Sequence, residues 1–124
     1  MIFMCPTHGK CGSVKIGKFL KEAIDQNTKV EYLVGLEYYF DYGGSDSRDG
    51  FYFSPDEAIT YKIERPGVKI IIGPDAEEES EDPFKTAIKN TTIICSKCFE
   101  EVYSSEIAKL EKIYKDNKYN LIML

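Results

Sequence analysis

A single histidine, His8, stands in the whole chain, and that removes most routes to nucleophilic catalysis. A Ser/His/Asp or Cys/His arrangement would have to use His8, and a histidine bound to a metal cannot also serve as a base. Long apolar runs are missing too: no stretch approaches the ~20 residues of a membrane helix. Met1 to Phe3 is apolar but short and has no basic lead, so it does not read as a signal peptide. There is no Walker A loop, no G-x-G-x-x-G and no H-E-x-x-H. Internal repeats and linker-like segments are absent as well. The expectation is one domain over residues 1–124, in the cytoplasm, with no membrane partner.

What is present is ordinary in amount. Of 124 residues, 43% are apolar and 30% charged, enough for one packed core. Lysine far outnumbers arginine, and Ile, Asn and Tyr are frequent, a bias of AT-rich coding that points to a low-GC bacterium or its phage. The net charge is −5 but uneven. Residues 1–30 carry five lysines against Glu22 and Asp25. Residues 31–89 carry fourteen acids against six bases, and residues 90–124 balance at five each. An acidic middle opposes general nucleic-acid binding, which needs a positive field, and suits a basic protein partner.

Hydrophobic period gives the elements. Phe19, Leu20, Ala23 and Ile24 predict a short helix over 17–26. Val30, Tyr32, Val34, Leu36, Tyr38, Phe40 and Tyr42 alternate, predicting a long strand over 30–42. A Gly/Ser/Asp loop to Gly50 follows, then a returning strand from Phe51 to Phe53. Ser54-Pro55-Asp56 breaks it, and Ile59, Tyr61 and Ile63 alternate as a third strand. Pro66-Gly67 is a turn and 69–72 a fourth strand. Asp75 to Asp82 is an acidic loop, with Asp82-Pro83 starting a short helix that buries Phe84, Ala87 and Ile88. Thr91 to Ile94 is extended, Ser104 or Ser105 caps a helix to 117, and 119–124 is a last strand. The expected fold is α+β: an antiparallel meander of five or six strands, helices on one face, and a zinc-knuckle staple joining the termini.

The staple is the sharpest feature. Cys95-Ser96-Lys97-Cys98 is a C-x₂-C knuckle, whose spacing lets two sulfurs converge on one ion. Cys5-Pro6-Thr7-His8-Gly9 has the shape of a second knuckle, with His in place of the second Cys. In a reducing compartment, clustered cysteines read as metal ligands rather than disulfides. Five donors compete for four positions: Cys5, Cys95 and Cys98, with either His8 or Cys11 as the fourth. The ion expected is one structural Zn²⁺. Residues 5–11 and about 95–116 resemble zinc-ribbon and treble-clef elements in general, and the insert between them carries no further resemblance.

Catalysis at this metal is the weaker reading. Cys5, Cys95 and Cys98 plus a water would be an open site near Glu100 and Glu101, similar to the P-C-x-x-C half of a zinc deaminase. The H-x-E or C-x-E half is missing, since Gly9 and Lys10 follow His8. The function expected is therefore non-enzymatic: a zinc-stabilised protein-binding module, of inhibitor or immunity type, that neutralises a basic partner. Its contact residues would be Glu37, Tyr39, Asp41, Asp46, Asp49, Tyr52, Glu77, Glu78 and Glu79, acids beside exposed tyrosines. The alternatives are a nucleic-acid-associated zinc protein using Lys10, Lys15, Lys18 and Lys21, and a zinc hydrolase or deaminase.

Overall fold

The computed structural model describes residues 3–41, 46–63, 67–72 and 84–123. Tyr42, the Pro66 half of the turn, the acidic loop 75–82 and the Asp82-Pro83 helix start lie outside the described residues.

The chain opens with a hairpin, β1 (Phe3–Cys5) and β2 (Gly9–Cys11), then runs β3 (Ser13–Gly17), α1 (Lys18–Asp25), β4 (Val34–Asp41), β5 (Asp46–Phe53) and α2 (Pro55–Thr60). It continues β6 (Gly67–Ile72), α3 (Lys85–Lys89), β7 (Thr91–Cys95), α4 (Ser96–Lys115) and β8 (Asn120–Met123). Six strands form one sheet in the order β7-β3-β5-β4-β6-β8. The sheet is mixed, which corrects the expected meander. Pairs β3/β7 and β4/β5 are antiparallel, whereas β3/β5, β4/β6 and β6/β8 are parallel. Parallel neighbours need crossovers, and the helices supply them.

The expected third strand is a helix. Ser54 is its N-cap, Pro55 its first residue, and Glu57 closes a capping box with Ser54. Three residues of capping chemistry outweigh the alternation of Ile59, Tyr61 and Ile63. Helices cover both faces rather than one. Leu36, Phe51, Phe53, Val68 and Ile70 share a buried cluster with Ala58, Ile63, Phe84 and Ala87, from α2, α3 and their flanks. On the other face Ile16 and Tyr52 join Leu20 of α1 and Phe99 and Tyr103 of α4. Gly35, opposite Tyr52 in the register, lies beneath Leu110 and Tyr114 of the same helix.

Other bounds moved for identifiable reasons. β4 begins at Val34, not Val30, because Val30 donates its backbone N–H to Tyr103 Oη at 3.2 Å instead of to a ladder. β5 extends back to Asp46, pairing all of β4. β3, unmarked by any long apolar run, is held between β5 and β7. The long helix starts at Ser96, eight residues before Ser104, and bends at Tyr103, whose φ of −120° and ψ of 21° are not helical. At 20 residues α4 is ~30 Å long. It carries the chain from one edge strand to the other, across five gaps that span ~24 Å. Among the described residues no helix is long and apolar enough to cross a membrane.

One buried carboxylate ties α1 to α2. Glu57 is 2% exposed, and its Oε1 accepts from the backbone N–H of Ser54 at 3.0 Å and of Leu20 at 3.2 Å. Its Oε2 lies over Gly17, the N-cap of α1, where a Cβ would overlap it. Glu57→Ala leaves two buried N–H groups unpaired and is expected to cost about 2–4 kcal/mol in urea unfolding. Glu57→Gln, which keeps an acceptor, costs less. Equal, negligible costs would show that the carboxylate is not a tie.

Candidate metal centre

The centre is assembled from the first hairpin and the junction of β7 with α4, and not from the C-terminal strand β8, which lies at the opposite edge of the sheet. In the first hairpin, Cys5 faces Gly9 across the register, and Pro6, Thr7 and His8 form the tip. Gly9 has φ of +70°, a conformation that favours glycine, and it turns the chain back after His8. Ser13 pairs with Cys95 in the main sheet, and Gly12 O accepts from Ser96 N–H at 2.9 Å. This locks the hairpin beside the start of α4. Cys95 is the N-cap of α4 and Cys98 lies in its first turn. The helix amino terminus points the backbone N–H groups of Lys97 and Cys98 at the Cys95 sulfur, which favours its thiolate.

Cys5, His8, Cys95 and Cys98 bring four donor atoms within 4.8 Å of one another. His8 Nδ1 lies 3.5 Å from Cys5 Sγ, 3.7 Å from Cys95 Sγ and 3.4 Å from Cys98 Sγ. Cys5 Sγ and Cys98 Sγ are 3.5 Å apart. A tetrahedral zinc with ordinary bond lengths needs S···S edges of about 3.8 Å and S···N edges of about 3.6 Å. The set fits that ion. Cys11 stands outside it: its Sγ is 2.8 Å from Cys95 Sγ, too short for two ligands of one zinc. None of the four cysteines is in a disulfide.

The second nitrogen of His8 is also engaged. Nε2 lies 2.6 Å from Glu101 Oε1, one turn into α4. An Nε2–H donated to this carboxylate fixes the ring with the Nδ1 lone pair towards the sulfurs. In the sequence Glu101 stands out only as an acid near an open metal site. Its spacing, one turn after Cys98 on a helix facing the hairpin tip, was the signal for its orienting role. Glu101→Ala is expected to weaken zinc affinity ~10–100-fold with little change in the fold, read by chelator competition. An unchanged affinity would remove Glu101 from the centre.

Local electrostatics set which protons a metal must displace. The backbone N–H groups of His8 and Thr7 pull the Cys5 thiol from 9.0 to about 6, against the opposing effect of burial. Burial opposes ionisation of Cys95, but the thiol of Cys11 and the N–H groups of Cys98 and Lys97 outweigh it and lower its pKa. The hydrogen bond to Cys95 raises Cys11 to about 11, and burial pushes Cys98 up to about 12. The Glu101 carboxylate raises His8 from 6.5 to about 9. At neutral pH, then, a metal displaces at least two protons, from His8 and from Cys98. Acid opposes both losses, so affinity rises with pH by roughly a hundredfold per unit between pH 7 and 8.5. Calorimetry in buffers of different ionisation heat should count two or more protons released per ion; none released would contradict these shifts.

The expected contact residues do not converge in the same way. Glu37 and Tyr52 line a depression of about 390 Å³ with Lys69, Leu110, Tyr114 and Tyr119. Tyr52 is half-buried, its ring 5.0 Å from that of Phe99, and Tyr39 is half-buried with Lys69 Nζ 5.4 Å from its ring centre. Asp49 pairs with Lys15 at 2.7 Å. The side chains of Asp41 and Asp46, and all of Glu77, Glu78 and Glu79, lie outside the described residues. At the basic end Lys10 and Lys18 are exposed, while Lys15 and Lys21 pair with Asp49 and Asp25. No protein-family model, curated protein or solved structure matches the chain.

Proposed function

We propose that the Cys5/His8/Cys95/Cys98 centre holds one structural zinc ion, and that the domain it staples is a non-catalytic module that binds a basic protein. The observation that supports this is the closed donor set. Three sulfurs and one imidazole supply four donors at tetrahedral spacing, which leaves no position for a reacting water. The Glu101 carboxylate is committed to His8 rather than aimed at a metal-bound water. Soft thiolate donors select zinc over hard cations.

The partner reading rests on charge. The insert between the knuckles carries most of the acid of the chain, and a rigid zinc-held base presents it. Inhibition of a nuclease-like toxin, or another immunity-type role, suits a small acidic domain of this size. The test is kinetic. Tagged protein captures its partner from the source cells, and association is then measured with purified components at low and high salt. A basic partner, with association slowed by salt and by lysine substitution of Glu77, Glu78 and Glu79, supports the reading. Capture of nucleic acid instead, or rates blind to both salt and charge reversal, contradicts it.

A further inference from the structure

The four-donor set leaves one thiol outside it, and that thiol touches a ligand. Cys11 ends β2, and its Sγ lies 2.8 Å from the Sγ of Cys95. Both side chains are buried, at 9% and 1% exposure. The backbones that carry them are fixed: Cys11 pairs with Phe3 across the hairpin, and Gly12 O holds Ser96 N–H. The two sulfurs therefore face each other across 84 residues of chain before any chemistry takes place. Two cysteine sulfurs held in contact by fixed backbones are placed to form a disulfide without rearrangement of the chain.

We propose that Cys11 and Cys95 are a redox modification site: oxidation joins them in a disulfide and removes Cys95 from the metal. This rests on the zinc reading of the centre. The oxidant is a peroxide. The Cys95 thiolate attacks one peroxide oxygen, the O–O bond breaks, and the departing hydroxide takes a solvent proton to become water. Cys95 is then a sulfenic acid. The Cys11 sulfur attacks it, the S–S bond forms, the S–O bond breaks, and a second water leaves with the Cys11 proton. Two electrons pass from the sulfur pair to the peroxide.

The consequence is a change in the kind of staple. Cys5, His8 and Cys98 are then left as three donors, so the ion is held more weakly and passes to a competing chelator. The hairpin and the start of α4 stay together, because the new bond spans the same long loop that a metal would close. The competing pair is Cys5 with Cys98, at 3.5 Å. Both are ligands, so their oxidation would strip two donors at once.

The experiment treats the zinc-loaded protein and a Cys11→Ser variant with equimolar hydrogen peroxide. Zinc release is followed with a chromogenic chelator, and disulfides are mapped by mass spectrometry of non-reduced peptides. The wild type should release zinc and show Cys11 joined to Cys95. The variant should start with the same zinc and release it at least about tenfold more slowly. Equal release rates, or a map joining Cys5 to Cys98, would overturn the proposal. So would a variant that purifies without zinc, since Cys11 would then be a ligand. A wild type that carries no zinc yet forms the Cys11–Cys95 bond refutes the zinc reading alone, and one that does neither refutes both.

Discussion

Cys98→Ser is expected to melt at least about 10 °C below the wild type, or not to fold at all. The magnitude follows from comparing two terms. A structural zinc contributes on the order of 10 kcal/mol in small sites, while a whole domain is stable by only about 5–15 kcal/mol. Losing even a few kcal/mol of that contribution shifts a domain of this size by 10 °C or more, at roughly 2–8 °C per kcal/mol. A zinc ion in this centre would close the chain between the two knuckles, and the entropy of such a loop grows only with the logarithm of its length, so the ion would overcome it with a wide margin. Chelation should lower the melting temperature of the wild type by a similar amount. Zinc added back should restore the wild type and not the variant. A melting temperature unmoved by the substitution would mean that Cys98 holds nothing of structural weight.

The second large effect is expected at Tyr103. Its ring is wholly buried, packs on Phe99 at 5.5 Å between centres, and sits where α4 bends over the sheet. Its hydroxyl accepts the Val30 N–H that would otherwise be left at the point where the strand stops. Tyr103→Ala removes the packing and the acceptor together and should cost about 3–5 kcal/mol in denaturant unfolding. Tyr103→Phe keeps the ring and loses one hydrogen bond, at about 1 kcal/mol. Near-equal costs for the two variants would locate the role of Tyr103 in its hydroxyl, and the bend would then be a polar device rather than a packed corner.

The centre was more legible in the sequence than the sheet that carries it. Ligand chemistry is local: C-x₂-C and C-P-x-H-G each declare half a site within five residues. What the pattern left open was the fourth donor, because His8 and Cys11 both follow Cys5 within six residues. Their separation is tertiary. The hairpin tip turns His8 Nδ1 onto all three sulfurs, whereas Cys11, at the end of β2, lies outside the four-donor set with its Sγ against Cys95.

Strand content was legible where alternation was long, as over Val34 to Phe40, and helix content where the apolar stripe was long, as over Ile107 to Tyr114. Strand direction was not. A third strand at Ile59, Tyr61 and Ile63 with a turn at Pro66-Gly67 implies an antiparallel meander, but the crossover through α2 sends β6 to pair with β4 in parallel. Two signals were present and were underread. Ser54-x-x-Glu57 is a capping box that marks a helix start, and alternation over only five residues should have yielded to it. The C-x₂-C knuckle sat at a helix amino terminus, so the helix begins at the metal and not at Ser104.

The most direct test of the stapled centre is native mass spectrometry of the protein purified without chelator. One zinc ion per folded chain, lost in the Cys98→Ser variant and retained in Cys11→Ser, is the predicted result. A metal-free chain with all four thiols intact and an unchanged melting temperature would contradict it.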